Sequence, residues 1–248
     1  MTYAAQALAA ARAYGLPIPD QVDQADALHA AVHAAANAHD PDPPQLPTSA
    51  DDLPGILATY GQDVAAVHAA RAAAAAMCAP AAQQLHQAVA AIAAGWIKVL
   101  ATDFDTSAKQ FTAKARNIPY NAREDSLGQL NPKQFGDWQQ ARKHAHTLDT
   151  ITELRETIAR AAGEPTHHDK ALFAVTQLPP APDNPDNWPD IAAHITAWRD
   201  RRADPVRRWV TLTTAGLPLT LAPLGAPTER AAERERWREN YINRKQRR

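Results

Sequence analysis

The chain has 248 residues, of which 45% are hydrophobic and only 6% aromatic, and its formal net charge is −1. Alanine contributes 56 residues, 34 of them within the first 100, whereas glycine is scarce. Because alanine loses no side-chain entropy in a helix, this composition predicts a mainly α fold and argues against an all-β sandwich or a doubly wound α/β enzyme. The single cysteine, Cys78, cannot form an intrachain disulfide.

The first region, residues 1–38, predicts an N-terminal αα-hairpin. Thr2 is suited to cap a helix that ends at Gly15, and two prolines then enforce a turn. Asp20 begins a second helix. Residues 39–50 contain four prolines and predict an extended, Pro-rich linker.

Residues 51–163 predict an elongated bundle of long helices. An apolar pattern that begins at Leu53 continues over roughly 60 residues, enough for a helix of about 95 Å if it is continuous. Pro80 removes a backbone donor and clashes with the preceding turn, so we expect two or three stacked segments instead. The pair Asn131-Pro132 predicts the start of a further long amphipathic helix.

The last region, residues 164–248, predicts a Pro-rich segment around one short helix, then a further helix, a small β-hairpin and a basic C-terminal helix. Residues 206–214 and 217–221 alternate apolar and polar side chains around a glycine, which favours two short strands. Pro227 opens the last helix. The long uncharged stretch 72–97 is half alanine and contains a proline and several polar side chains where a membrane helix would have Leu, Ile or Phe, so we expect no membrane span.

Charge is distributed unevenly along the chain. Residues 1–100 contain 3 basic and 8 acidic residues, whereas residues 201–248 contain 12 basic and 5 acidic residues. A molecule with one acidic and one basic end can be oriented by its neighbours within an assembly. No signal-peptide pattern is present at the N-terminus, and we expect a cytoplasmic protein, located in the host cytoplasm or the virion if it is viral.

Three side chains in the second predicted helix, Asp26, His29 and His33, share one face with a spacing that can bind zinc. No fourth ligand is evident, so a polar helix edge is the favoured interpretation. Nucleotide-binding loops, zinc-protease motifs and nucleophile elbows do not occur in the sequence. We therefore expect no cofactor, no metal and no enzymatic activity.

The C-terminal helix offers the candidate interaction residues. One broad face mixes cations with two aromatic side chains: Arg230, Arg234, Trp237, Tyr241, Arg244 and Lys245. Trp, Tyr and Arg are common anchors in protein interfaces, so this face is suited to an acidic, partly apolar groove on a partner. It is also suited to clamp phosphates and stack on bases, or to form a solvated helix with internal ion pairs.

These features favour a non-enzymatic structural or assembly protein that contacts other subunits, as a homo-oligomer or within a hetero-assembly. The Ala-, Arg-, Asp- and Pro-rich composition is typical of GC-rich coding and suggests a virion subunit (head, connector or decoration) of an actinobacterial phage. The alternatives are a nucleic-acid-associated protein that uses the C-terminal helix, and a helical enzyme. A catalytic site would then centre on Asp103, Asp105 and the loop at 120–124, because loops often carry chemistry.

Overall fold

The computed structural model describes residues 2–119, 124–165, 171–177, 198 and 205–246. These residues are mainly helical and form no strand, which confirms the predicted mainly α fold. The α-helices are α1 (Tyr3–Tyr14), α2 (Asp20–Ala36), α3 (Leu53–Ala115), α4 (Pro132–Ala161), α5 (Ala171–Val175), α6 (Pro205–Thr214) and α7 (Ala226–Gln246), and Ala50–Asp52 and Glu124–Gln129 form 3-10 helices.

Helix α1 begins and ends where the sequence predicts. The Thr2 hydroxyl accepts a hydrogen bond from the backbone N–H of Ala5 at 3.2 Å. Gly15 has φ 88°, a conformation that strains residues with a Cβ, and its N–H donates to the carbonyls of Ala11 and Arg12. Four buried side chains pack this helix against α3 and α4: Ala4, Ala7, Leu8 and Ala11.

Helix α2 packs along α3 and is linked to α1 by an ion-pair cluster. The Arg12 guanidinium donates to Asp23 at 2.6 Å and to Asp26 at 2.8 Å, and these hydrogen bonds raise the pKa of Arg12. In the turn between the two helices, the carbonyl of Pro17 accepts the indole N–H of Trp96 at 2.8 Å. This contact fixes the turn to α3.

Helix α3 is continuous, so the expectation of two or three stacked segments is wrong. It has 63 residues with Pro80 inside it, which corresponds to about 95 Å at 1.5 Å per residue. An interior proline costs about 3 kcal/mol, but alanine-rich flanks have the highest helix propensity. Side chains on both sides of the proline, including Ala74, Ala81 and Leu85, are also buried on one face. Propensity and packing together outweigh the missing hydrogen bond.

Helices α3 and α4 pack together and run antiparallel. Near the end of α3, Lys114 donates to Asp137 at the start of α4 at 2.9 Å, and this hydrogen bond is the main cause of the lowered pKa of Asp137. Further along, Trp209 of α6 connects the two helices. Its ring lies 5.9 Å from the ring of Phe104, and its indole N–H donates to Asp149 at 2.8 Å. Moving backwards along α3 therefore corresponds to moving forwards along α4.

Helix α4 begins as the sequence predicts. The Asn131 side chain accepts from the backbone N–H of Gln134 at 2.9 Å, and the Gln134 side chain accepts from the backbone N–H of Asn131 at 3.1 Å. This capping box satisfies two helix-end donors. Phe135, at the start of the predicted apolar face, is 38% exposed. The rest of that face is buried: Trp138, Ala141, Ala145, Leu148, Ile151, Leu154 and Ile158.

The predicted β-hairpin is not formed. Its first segment lies in helix α6. Valine and threonine favour strands, but the spacing of Val206, Trp209 and Val210 also matches one helical face, and all three side chains are buried. Trp209 is fully buried and packs edge-to-face on Phe104. The tertiary contacts of this large ring outweigh the local strand preference.

The second segment, residues 217–221, pairs with the end of α5. Leu219 forms an isolated antiparallel bridge with Thr176. The backbone N–H of Ala222 continues this pairing and donates to the carbonyl of Ala174 at 2.8 Å. The predictions that fall on residues 166–170, 178–197 and 199–204, including most of the Pro-rich segment and the helix after it, lie outside the described residues.

The N-terminal half of α3 is largely exposed. Before Leu85, only Ala74 and Ala81 are buried, and large apolar side chains such as Leu57 and Met77 are about half exposed. The span Ala50–Ala115 is long and apolar enough, by length and composition, to cross a membrane. Only 11% of its apolar 18-residue stretch is buried within the molecule.

Candidate interaction surface

The attachment of α7 begins with a buried ion pair at the end of α4. Both Glu164 carboxylate oxygens accept from Arg155 Nη2, at 3.1 and 3.2 Å, and Glu164 also accepts the N–H of Gly225 at 3.3 Å. Arg155 donates further to the carbonyls of Ala222 and Pro223, each at 3.1 Å. Burial lowers the pKa of Arg155, and the charge of Glu164 opposes that shift. The segment before α7 is thereby tied to α4.

The first predicted interaction residues, Arg230 and Arg234, hold α7 to α5. Arg230 Nη1 donates to the carbonyls of Phe173 and Thr176, both at 2.8 Å. Its partial burial lowers its pKa, and the nearby charge of Arg155 adds to that effect. The Arg234 guanidinium lies 5.9 Å from the centre of the Phe173 ring. These two cations act within the molecule, where they position the helix.

The other four predicted residues continue the same face beyond α5. Trp237 and Tyr241 are half-exposed, and Arg244 and Lys245 are exposed. Their spacing from Arg234, in steps of three and four, places them one above another on a helix. The face that packs against α5 in the first turns of α7 is therefore presented to solvent in its last turns.

An acidic groove lies at the opposite end of the sequence, where the Pro-rich segment passes the start of α3. Its volume is about 330 Å³. Pro41 and Pro44 face Ile56 and Tyr60 across it, and the Tyr60 hydroxyl is 3.5 Å from the carbonyl of Pro41. Two carboxylates complete the lining: Asp42 and Asp63.

Sequence reasoning missed this groove, because it is formed by two segments that only the tertiary structure brings together. A signal was present nevertheless: between Arg12 and Arg71 the chain contains 8 Asp and no Lys or Arg. Arg71 itself is paired with Asp40 at 2.8 Å, next to the groove. The remaining surface at this end is therefore acidic.

The zinc candidate has other partners in the structure. Asp26 binds Arg12, and the rings of His29 and His33 pack edge-to-face with centroids 5.6 Å apart. The His33 ring also lies 3.1 Å from the Asn37 side-chain nitrogen. Among the described residues, no group of three His, Cys, Asp or Glu is placed to hold a metal ion.

The two aspartates proposed as a catalytic centre contact different parts of the molecule. Asp103 accepts the Tyr14 hydroxyl at 3.1 Å, and burial together with this hydrogen bond raises the pKa of Tyr14 to about 12. Asp105 lines a different groove, of about 470 Å³, with Lys109 and Arg116. Residues 120–123 of the predicted loop lie outside the described part of the chain.

Comparison of the chain with protein-family models, with curated proteins and with solved structures finds no match. One end carries a cationic, aromatic helix face, and the other end carries an acidic groove with apolar walls.

Proposed function

We propose that this protein is a non-enzymatic assembly subunit, an elongated helical bundle that works through contacts with other protein subunits. The observation that supports this proposal is that one face of α7 packs against α5 in its first turns and is exposed in its last turns. Arg230 and Arg234 hold its first turns to α5, whereas Trp237, Tyr241, Arg244 and Lys245 present the same face to solvent. Aromatic and arginine side chains of this kind are common anchors of protein interfaces.

The exposed part of α3 also supports an assembly role. The outer face of α3 is rich in alanine and includes the exposed side chains of Leu57 and Met77. This face buries little apolar area within the molecule, so it gains little stability from burial. Small side chains let a neighbouring chain approach closely. In finer detail, we propose a head, connector or decoration subunit of an actinobacterial phage virion, which the GC-rich type of composition supports.

A nucleic-acid-associated role is the second candidate, and the charge of the chain end favours it. Residues 236–248 contain 6 basic residues and 1 acidic residue, a pattern suited to phosphates. Arg230 donates within the molecule, and the exposed Arg238 is paired with Glu235 at 2.9 Å, so fewer cations of this helix are left for phosphates. We therefore place a protein partner ahead of DNA or RNA.

The test is the native mass in solution, measured by light scattering over a range of concentrations. We expect the full chain to form oligomers. After deletion of residues 236–248, which leaves the contacts of Arg230 and Arg234 in place, we expect fewer copies per particle. A monomer at every concentration would overturn the proposal. Salt-dependent DNA binding that is lost with the same deletion would support the second candidate instead, and flotation with lipid vesicles would indicate a membrane role for α3.

A further inference from the structure

We propose, on the basis of the assembly role proposed above, that copies of this chain join head to tail. The exposed face of α7 in one copy, from Trp237 to Lys245, docks in the acidic groove beside Tyr60 in the next copy. Both surfaces belong to the same chain, so every copy has one of each.

The groove has the chemistry to receive an aromatic and cationic helix face. Its walls are the rings of Pro41, Pro44 and Tyr60, with Ile56 between them, and such apolar surfaces favour packing of an aromatic side chain. A volume of about 330 Å³ is at the small end of the range for binding pockets, which is roughly 300–1,000 Å³. It suits one or two side chains rather than a large ligand.

The charges of the two surfaces are complementary. Asp42 and Asp63 line the groove, and Asp51 and Asp52 precede α3 in the adjacent 3-10 helix. On the other surface, Arg244 and Lys245 lie one turn beyond Tyr241. Seating Trp237 or Tyr241 between the prolines would bring these cations to the carboxylates. Complementary charges speed association and fix the orientation of the partners.

The groove cannot be filled by α7 of the same copy, because the helix is too short. In the antiparallel register set by Phe104 and Asp149, Glu164 lies level with the region around residue 89 of α3. Tyr60 is roughly 30 residues further along, or about 44 Å. Helix α7 starts beside Glu164, and Lys245 is only about 30 Å from that start. If the face of α7 fills the groove, it must therefore come from a second copy.

The proposed contact joins two different surfaces, so each copy that binds leaves one groove and one helix face open. Interfaces of this heterologous type grow into rings if the rotation closes and into filaments if it does not. A two-fold dimer through the alanine face of α3 would instead stop at two copies. The two arrangements respond differently to mutation of α7.

The experiment uses two charge-reversed variants of the full chain, measured by light scattering and analytical ultracentrifugation. The helix variant is Arg244→Glu/Lys245→Glu, and the groove variant is Asp42→Lys/Asp63→Lys. Each alone should associate about 100-fold more weakly or worse, because like charges then face each other. An equal mixture should assemble again, because the intact helix face of one variant meets the intact groove of the other, and the two charge-reversed surfaces are complementary to each other. A chain with all four changes should assemble again.

Matched controls separate the interface from general effects of charge. Arg236→Glu reverses one charge on the opposite, exposed face of α7 and should leave assembly unchanged. Far-UV circular dichroism checks that each variant is folded. If the groove variant does not fold, Thr59→Arg, which puts bulk and positive charge into the same groove, takes its place.

The outcomes distinguish this inference from the assembly role itself. Oligomers that persist in both variants, or an equal mixture that stays monomeric although both variants are folded, would overturn the head-to-tail contact. Persistent oligomers would leave the assembly role intact and point to another face, such as α3. A wild-type chain that is monomeric at every concentration would overturn both.

Discussion

Arg155 and Glu164 form an ion pair with side chains only 3% and 8% exposed, and this pair joins the end of α4 to the segment that carries α7. The Arg155 guanidinium also reaches the carbonyls of Ala222 and Pro223, and Glu164 accepts from Gly225. A buried charge is tolerated when such partners satisfy it. The proposed interaction face thus depends on a contact at the other end of α7.

Removing one partner of this pair should destabilise the protein strongly. Arg155→Met leaves the Glu164 carboxylate buried without its cation, and we expect a loss of about 3–5 kcal/mol in the free energy of unfolding. Urea denaturation followed by circular dichroism measures it. The double variant Arg155→Met/Glu164→Gln should recover part of the loss. Arg160→Met, on the exposed side of the same helix, should cost less than about 1 kcal/mol. Equal losses at positions 155 and 160 would contradict the buried ion pair.

Trp209 should be a large contributor to stability, because its fully buried ring contacts Phe104 and Trp198 and its indole N–H donates to Asp149. Trp209→Ala creates a cavity and should cost about 3–5 kcal/mol. Thermal and urea unfolding measure this loss. Trp237→Ala, on the half-exposed face of α7, serves as the control and should cost well below half as much. A small effect at position 209 would argue against the α6 packing described above.

Pro80 gives a test of the continuity of α3. Pro80→Ala restores a backbone donor to the helix, so we expect the free energy of unfolding to rise by about 1–3 kcal/mol. Pro54→Ala is the matched control. Pro54 lies in the first turn, where the backbone N–H has no helical acceptor, and its replacement should change little. A helix that breaks at position 80 would show no gain from the first substitution.

Tyr14 predicts a defined pH dependence. Burial and its hydrogen bond to Asp103 raise the pKa of Tyr14 to about 12, whereas an unfolded tyrosine titrates near 10. The folded state therefore favours the neutral phenol, and the resulting stability is present below about pH 10 and is lost as the pH rises towards 12.

The measurement for Tyr14 is the ultraviolet absorbance of tyrosinate during an alkaline titration. Tyr14→Phe should remove a component that titrates near pH 12. Asp103→Asn should shift that component to lower pH without removing it, because burial persists while the negative acceptor is gone. A titration curve that Asp103→Asn does not alter would contradict the hydrogen bond.

Local signals predicted several helix ends correctly. Thr2 and Gly15 bound α1, and Asn131 with Gln134 caps α4, as the residue types require. These ends depend on hydrogen bonds within a few residues, so the sequence contains nearly all the relevant information. The face of α7 could also be predicted, because helical spacing alone places Trp237 beside Tyr241.

Contacts between distant segments decided the rest. Residues 206–214 are compatible with a strand or a helix, and burial of Trp209 against Phe104 selects the helix. The sequence predicts Arg230 to be an interaction residue. In the structure its guanidinium donates to the carbonyls of Phe173 and Thr176 of the same chain.

The amino-acid sequence is enough to predict that this protein is mainly helical, that its ends differ in charge and where several helices start. Composition, capping and spacing are local properties, and they require no knowledge of what packs where. Tertiary packing, in contrast, carries α3 through Pro80 and brings Asp42 and Asp63 to the same groove. It also holds the first turns of the cationic face of α7 against α5 and leaves the last turns of that face exposed. Each of these outcomes depends on which distant residues exclude water from one another, and a linear pattern does not contain that information.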